Sequence, residues 1–264
     1  MRVQSDDAEI FYEVLGEGPP LVLLHAFPVN HELWLPVAGR LAARYRVVLP
    51  DLRGHGESGV GEGPATMEKH AADLLRVCDA AGVRTAIFGG VSIGGYVLFE
   101  FWRRWRERVA GLILADTRAP ADTPPVRAAR LQAAEEVERQ GPQSYLEGLL
   151  PKLLGSTTQS NRPGLVREVQ RMAARMTVAG IAAVLRGMAG RPDSVAALRT
   201  IDKPALLLFG GEDTASPMAE GELMQREIAH SRLLRVPQAG HFAVLEQPEA
   251  VHEMVRAFLD QFPR

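Results

Sequence analysis

Short, unbroken apolar runs alternate with longer stretches of helical periodicity, and this rhythm constrains the fold more than any other feature of the chain. Leu21–His25, Arg46–Pro50, Thr85–Gly89, Ala110–Ala115 and Ala205–Phe209 are too short for buried helices, and they lack the polar alternation of a strand with one wet face. They fit parallel strands covered on both faces by crossover helices. Val3–Gln4, Ile10–Leu15 and Arg232–Val236 are three further strand candidates, and helical stretches lie at Leu33–Arg44, Met67–Ala81, Ile93–Trp105, Ala219–Ile228 and Pro248–Phe262. With 264 residues and 46% hydrophobic content, one large α/β domain is expected, its mostly parallel eight-stranded sheet flanked by helices.

The rhythm breaks between Thr117 and Thr200, where no convincing strand occurs. Val126–Arg139, Ser144–Leu154, Leu165–Met176 and Val178–Met188 have helical patterns, punctuated by Pro120, Pro124, Pro125, Pro142, Pro163 and Pro192. Residues 117–200 are therefore expected to form a helical cap inserted into a core made of residues 1–116 and 201–264. Met172, Met176 and Met188 either line an adaptable pocket or fill small helices.

Charge and cysteine content narrow the function classes. Thirty Lys and Arg against 32 Asp and Glu give a net charge of -2, which offers no footprint for nucleic acid. The lone Cys78, in an apolar-periodic run, excludes an internal disulfide framework and a cysteine-based zinc cluster, and reads as a buried thiol. No run of apolar residues is long enough to span a bilayer, and Met1–Ile10 lacks the core of a secretory signal, so a cytoplasmic protein without membrane partners is expected. Trp102 and Trp105, interleaved with Arg103, Arg104 and Arg106, fit a core-facing stripe with a solvated arginine face better than a basic-aromatic binding patch.

The chemistry is concentrated in Ala86–Tyr96, where a strand runs into a helix through Gly90-Val91-Ser92-Ile93-Gly94. This is the nucleophile-elbow pattern: the serine occupies a strained turn, so its neighbours two positions away must be small. The helix starting at Ile93 points free N–H groups and its positive dipole end at the site. Phosphate-binding alternatives fail on spacing, because Tyr96 stands where a Walker lysine would be and Ser92 where a dinucleotide fingerprint needs glycine. A serine needs a base. Of seven histidines, His241 lies on a loop between the last strand and the final helix, whereas His25 and His55 read as structural. No His-x-x-x-His pair marks a metal helix, and neither metal nor cofactor is expected. The orienting carboxylate is Asp213, directly after the Ala205–Phe209 strand, or its competitor Asp116, with Glu212 a weaker third; chain order does not separate Asp213 from Asp116.

Leu24-His25-Ala26-Phe27-Pro28, Asp51-Leu52-Arg53-Gly54-His55-Gly56-Glu57-Ser58, the Ser92 motif, Gly211-Glu212-Asp213 and Gly240-His241 together resemble the α/β-hydrolase superfamily, over nearly the whole chain. The nearest likeness is to bacterial carboxylesterases in the branch that holds 3-oxoadipate enol-lactonases and cofactor-free haloperoxidases or perhydrolases; Asp116-Thr117-Arg118 and Arg191-Pro192-Asp193-Ser194 also resemble that esterase group. The resemblance implies the α/β-hydrolase fold, with Ser92 as nucleophile, His241 as general base and acid, and Asp213 as orienting acid. It implies an oxyanion hole from the N–H groups of Phe27 and Ile93, with Asp51, Arg53 and His55 bracing the adjacent loop. Ala26 stands where many relatives have glycine, and alanine disfavours positive φ.

The expected activity is a cofactor-free carboxylesterase acting on small or medium acyl esters. The alternatives are an enol-lactonase or C–C bond hydrolase with the same triad, a perhydrolase side activity, and a hydrolase-fold ligand receptor without turnover. Leu149, Leu150, Leu153, Leu154 and Met188 are the candidate substrate-binding residues, the leucines at helix-like spacing around Pro151.

Overall fold

The computed structural model describes residues 1–262. Eight strands form one sheet: β1 (Arg2–Ser5), β2 (Ala8–Leu15), β3 (Pro20–Leu24), β4 (Arg46–Pro50), β5 (Ala86–Val91), β6 (Val109–Ala115), β7 (Ala205–Gly210) and β8 (Ser231–Val236). Their spatial order is β1-β2-β4-β3-β5-β6-β7-β8. β1 and β2 pair antiparallel, as do β2 and β4, and every pairing from β4 to β8 is parallel. The apolar runs that lack polar alternation are the central strands, with β5 and β7 buried throughout. β8 closes one edge of the sheet, and of its residues only Val236 is fully buried.

Among the described residues, twelve α-helices accompany this sheet. In chain order they are α1 (Leu35–Leu41), α2 (Met67–Ala80), α3 (Ile93–Trp105), α4 (Pro124–Gln140), α5 (Gln143–Leu153), α6 (Ser156–Asn161), α7 (Pro163–Ala173), α8 (Val178–Ala189), α9 (Val195–Leu198), α10 (Met218–Glu227), α11 (Ala243–Glu246) and α12 (Pro248–Leu259). α1, α11 and α12 pack together as one layer, while α2, α3, α9 and α10 form another connected set. The stretch expected as one helix from Leu33 is a 3₁₀ turn, His31–Trp34, followed by the shorter α1. The very short α9 and α11 carry no readable periodicity.

Trp102 is buried and its Nε1 donates to Thr200 Oγ1 at 2.9 Å, whereas Arg103 and Arg104 pair with Glu100. The tryptophan stripe therefore faces the core. Cys78 is a buried free thiol, and burial pushes its pKa up to about 12. No single described helix is long and apolar enough to cross a membrane.

Between β6 and β7 the chain makes six helices, α4 to α9, and no strand among the described residues. One of them, α8, meets the loops at the sheet's edge through two glycines. A Cβ on Gly180 would lie 2.4 Å from the Gly54 carbonyl oxygen, and one on Gly187 only 1.8 Å from that of Ala65. The Ala65 N–H also donates to the Ala183 carbonyl between them. Backbone-to-backbone approach of this kind leaves no room for a methyl group. Gly187→Ala is expected to cost about 2 kcal/mol or more through overpacking. Gly148→Ala, on α5 where a Cβ meets nothing within 4 Å, should be neutral or slightly stabilising. Urea denaturation of the two variants checks the contrast, and equal stabilities would contradict it.

Candidate active site

β5 ends at Val91, α3 begins at Ile93, and Ser92 joins them with φ 54° and ψ -113°. Positive φ is strained for any residue with a Cβ. The surroundings hold it there: Ser92 N–H donates to the Ala115 carbonyl, and Thr117 Oγ1 donates to the Ser92 carbonyl at 2.7 Å. The glycines are small for a local reason. A Cβ on Gly90 would lie 2.5 Å from the Gly94 backbone, one on Gly94 would lie 2.8 Å from the Leu24 carbonyl oxygen, and one on Gly95 would lie 2.3 Å from Thr117 Oγ1.

Loops after β7 and β8 bring the other candidates together. His241 Nδ1 lies 2.8 Å from Asp213 Oδ2, and both side chains are buried. Asp213 Oδ1 accepts from the N–H groups of Ala215 and Ser216, so an Nδ1–H donor on His241 completes its shell. That tautomer leaves Nε2 free as a base. His241 and Ser92 line one cavity of about 150 Å³, together with Phe27, Leu149, Leu153 and Met188.

The competing carboxylates have other partners. Asp116 accepts from the N–H groups of Gly210 and Ala243, 2.7 and 3.4 Å away. Burial, reinforced by Asp213, raises its pKa well above the ordinary carboxylate value. Glu212 accepts from Ser156 Oγ and from the backbone and hydroxyl of Thr157, so it caps the start of α6.

The five candidate substrate-binding residues divide between two cavities. Leu149 and Leu153, four apart on α5, face the cavity, whereas Leu150 and Leu154 line a separate groove of about 570 Å³ towards α7. One residue of helical advance turns a side chain by about 100°, which separates the two leucine pairs. Met188 lines the Ser92 cavity; Met172 and Met176 are buried elsewhere and act as filler. Sequence reasoning missed Tyr96, Arg118, Arg130 and Tyr145 on the cavity wall. Tyr96 was readable in principle, being one helical turn after Ser92 on the same face of α3. Arg130 and Tyr145 depend on how the insertion folds back and left no local signal.

Ile93 is the first residue of α3, so its N–H has no acceptor within the helix. Among the described residues, the Phe27 N–H has no protein acceptor either. Ala26 is not among the residues with positive φ, so this position does not need glycine.

The insertion is tied directly to the histidine loop. His241 N–H donates to the Leu153 carbonyl at 2.9 Å. Fully buried Glu246 accepts from Gly240 and Phe242 on either side of His241, and its other oxygen accepts from Gly155 beyond α5. Gly155 and Gly240 meet backbone to backbone, since a Cβ on Gly240 would lie 2.2 Å from Gly155 N.

The family model described as the alpha/beta hydrolase fold matches residues 19–248. The chain belongs to the α/β-hydrolase family. This α/β hydrolase superposes on a thermophilic esterase from Thermogutta terrifontis, solved with malate bound, with TM-score 0.96 and 40% identity over 99% of this chain and 98% of that one. It is similar to the enol-lactonase from Burkholderia xenovorans, with TM-score 0.92 and 25% identity over 98% of this chain and all (100%) of that one. In sequence it is 26% identical to 3-oxoadipate enol-lactonase 2 of Acinetobacter baylyi, over 98% of this chain and 96% of the relative.

Histidines brace the Phe27 loop of the hydrolase. His25 Nδ1 lies 2.9 Å from the Ala26 carbonyl, and its Nε2 accepts from Leu52 N–H, so the ring must be neutral. His55 stands edge-on to both the His25 and Phe27 rings. Asp51, bonded to His31 and to Glu57 N–H, and Arg53, bonded twice to Asp73 and once to Asp7, hold the loop behind them. Burial, against the pull of Asp51, lowers the pKa of His25 to about 4; burial and His25 lower that of His55 to about 3. His70 falls well below its ordinary value, mainly through burial. His31 goes the other way: burial opposes its charge, but Asp51, Glu13 and Glu32 outweigh burial and raise its pKa.

Acid stability follows from these shifts. His25, His55 and His70 stay neutral when folded but protonate near pH 6.5 when unfolded. Their contribution is complete above about pH 6.5 and is lost as pH falls towards 4 and below, at about 1.4 kcal/mol per pH unit per group. His31 has the opposite sign: its contribution is present below about 6.5 and lost as pH rises through its raised value. Below about pH 6.5 His31 is protonated in both states and adds no slope, so the three lowered histidines make the urea midpoint fall steeply between about pH 6.5 and 4.5. His70→Leu should flatten the slope, since among the described residues neither ring nitrogen of His70 has a partner. An unchanged slope in that variant would contradict the assignment.

Proposed function

We propose that this protein is a carboxylic ester hydrolase working through an acyl-enzyme on Ser92. The observation that carries this reading is the strained Ser92 sharing a cavity with His241, whose other ring nitrogen is held by buried Asp213. Ser92 Oγ attacks the ester carbonyl as His241 Nε2 takes its proton; the resulting imidazolium is stabilised by Asp213. The tetrahedral oxyanion lies against the Phe27 and Ile93 N–H groups, preorganised donors that cost no rearrangement when charge develops. His241 then protonates the leaving alcohol, and water repeats the sequence to release the acid.

The cavity of about 150 Å³, walled by Leu149, Leu153, Met188 and Tyr145, favours short and medium acyl groups. A lactone is a cyclic ester open to the same attack, and the enol-lactonase relatives favour lactonase activity as the second reading. A hydrolysis panel of simple esters, lactones and β-diketones separates these readings.

Ser92→Ala is expected to lower kcat by several orders of magnitude while leaving the fold intact. Asp213→Asn should reduce kcat far more than Asp116→Asn, because only Asp213 bonds the imidazole. Stopped-flow or steady-state assays with p-nitrophenyl acetate read both; near-normal turnover in Ser92→Ala ends the proposal.

The shape of the Phe27 loop predicts an exclusion. Phe27 is followed by a φ-locked proline, and its buried ring is flanked by His55 and Tyr145. This gives a narrow, pre-formed hole with an aromatic wall on the alcohol side. Ethyl and phenyl acetate should be cleaved and tert-butyl acetate hardly at all. Comparable rates on ethyl and tert-butyl acetate would show that the wall yields.

A further inference from the structure

The Ser92 cavity carries more guanidinium than carboxylate. Arg130, on α4, lines it, and so does Arg118, which follows β6. Arg130 Nε donates to Asp122 Oδ2 at 2.6 Å, and Arg191 Nη2 donates to Asp122 Oδ1 at 2.9 Å. One buried carboxylate is thus shared by two arginines, with Arg191 itself only 3% exposed. Arg191 also lies 4.2 Å over the ring of Tyr96, another wall residue, so its charge is directed at the cavity from behind.

Glu220 balances Arg118, and among the described residues no carboxylate lines the cavity itself. Glu220 sits 3.9 Å from Arg118, which also donates to the Ala215 carbonyl. Asp193 accepts from the backbone N–H groups of Ala121 and Val195. Asp213 is saturated by His241, Ala215 and Ser216 on the far side of the imidazole. Beyond Asp122, Arg130 reaches only the Met188 sulfur among the described residues, at 3.6 Å, a weak acceptor. Arg130 is 23% exposed and lines the Ser92 cavity, where among the described residues no carboxylate stands beside it to take up its remaining donors.

We propose that Arg130, backed by Arg191, binds a carboxylate on the acyl part of the substrate, so that the preferred substrates are short esters or lactones that are themselves anions. The planar guanidinium accepts a carboxylate through paired N–H donors, and Asp122 fixes its orientation. The anchor holds the acyl chain across the cavity while Ser92 meets the ester carbonyl. The inference rests on the ester-hydrolase reading above.

The test compares pairs of equal size that differ in charge. Monomethyl succinate and monomethyl glutarate are assayed against methyl succinamate and methyl glutaramate, with p-nitrophenyl acetate as a neutral reference. The wild-type enzyme should favour the acids in kcat/KM by about tenfold or more, with the preference shrinking as salt is raised. Arg130→Gln should bring the ratio close to unity, and Arg130→Lys should keep part of it. Equal rates on acid and amide, with Ser92-dependent cleavage of p-nitrophenyl acetate, would overturn the anchor and leave the ester hydrolase standing. A wild-type preference unchanged in Arg130→Gln would also overturn it. Failure to cleave any of the five compounds would instead remove the ester-hydrolase reading on which the anchor depends.

Discussion

A serine at φ 54° between a buried strand and a helix is a conformation the chain would not choose locally, and much of the architecture serves to enforce it. β5 and β6 are paired along their full length, which places the Ala115 carbonyl against Ser92 N–H. The next residues of the β6 loop supply Thr117, whose hydroxyl holds the Ser92 carbonyl. α3 then has to start tight against β3, and only glycine at 94 permits its approach to the Leu24 carbonyl. Sheet register, two glycines and one threonine together make a reactive orientation out of an unfavourable turn.

The histidine side of the cavity is organised differently, by buried acceptors and not by steric closeness alone. Asp213, Asp116 and Glu246 each collect backbone N–H groups from loops that have no regular ladder of their own. A carboxylate with two oxygens can serve several donors, which makes it an efficient organiser of irregular backbone. Asp116 and Asp213 look interchangeable in chain order, and it is this division of labour that separates them: one spans Gly210 and Ala243, the other holds the imidazole.

Sequence periodicity was enough to place all eight strands and the large central helices, because buried strands and amphipathic helices leave opposite signatures. The Ser92 elbow was legible for a stronger reason, since the turn forbids side chains at Gly90 and Gly94. Legibility faded wherever position depends on non-local docking. Leu149 and Leu150 are identical in type and adjacent, yet they face different cavities, and the chemical type of a leucine carries no record of that. Arg130 reads as one of many charges on an exposed helix, and only its pairing with Asp122 places it beside the cavity. The short α9 and α11 span too few residues to show a period.

The seam between Leu153–Gly155 and the His241 loop bears on how such enzymes diversify. An insertion between two strands looks like a module that can be exchanged to change specificity while the chemistry stays in the sheet. Here the end of α5 supplies the acceptor for His241 N–H, and Glu246 bridges Gly155 to both neighbours of the histidine. A foreign insertion would arrive with a different backbone path at that junction and leave a buried carboxylate and an imidazole loop without their partners. Specificity and catalysis are therefore not inherited separately in this chain: any recombined insertion must match the seam before its new pocket has anything to act with.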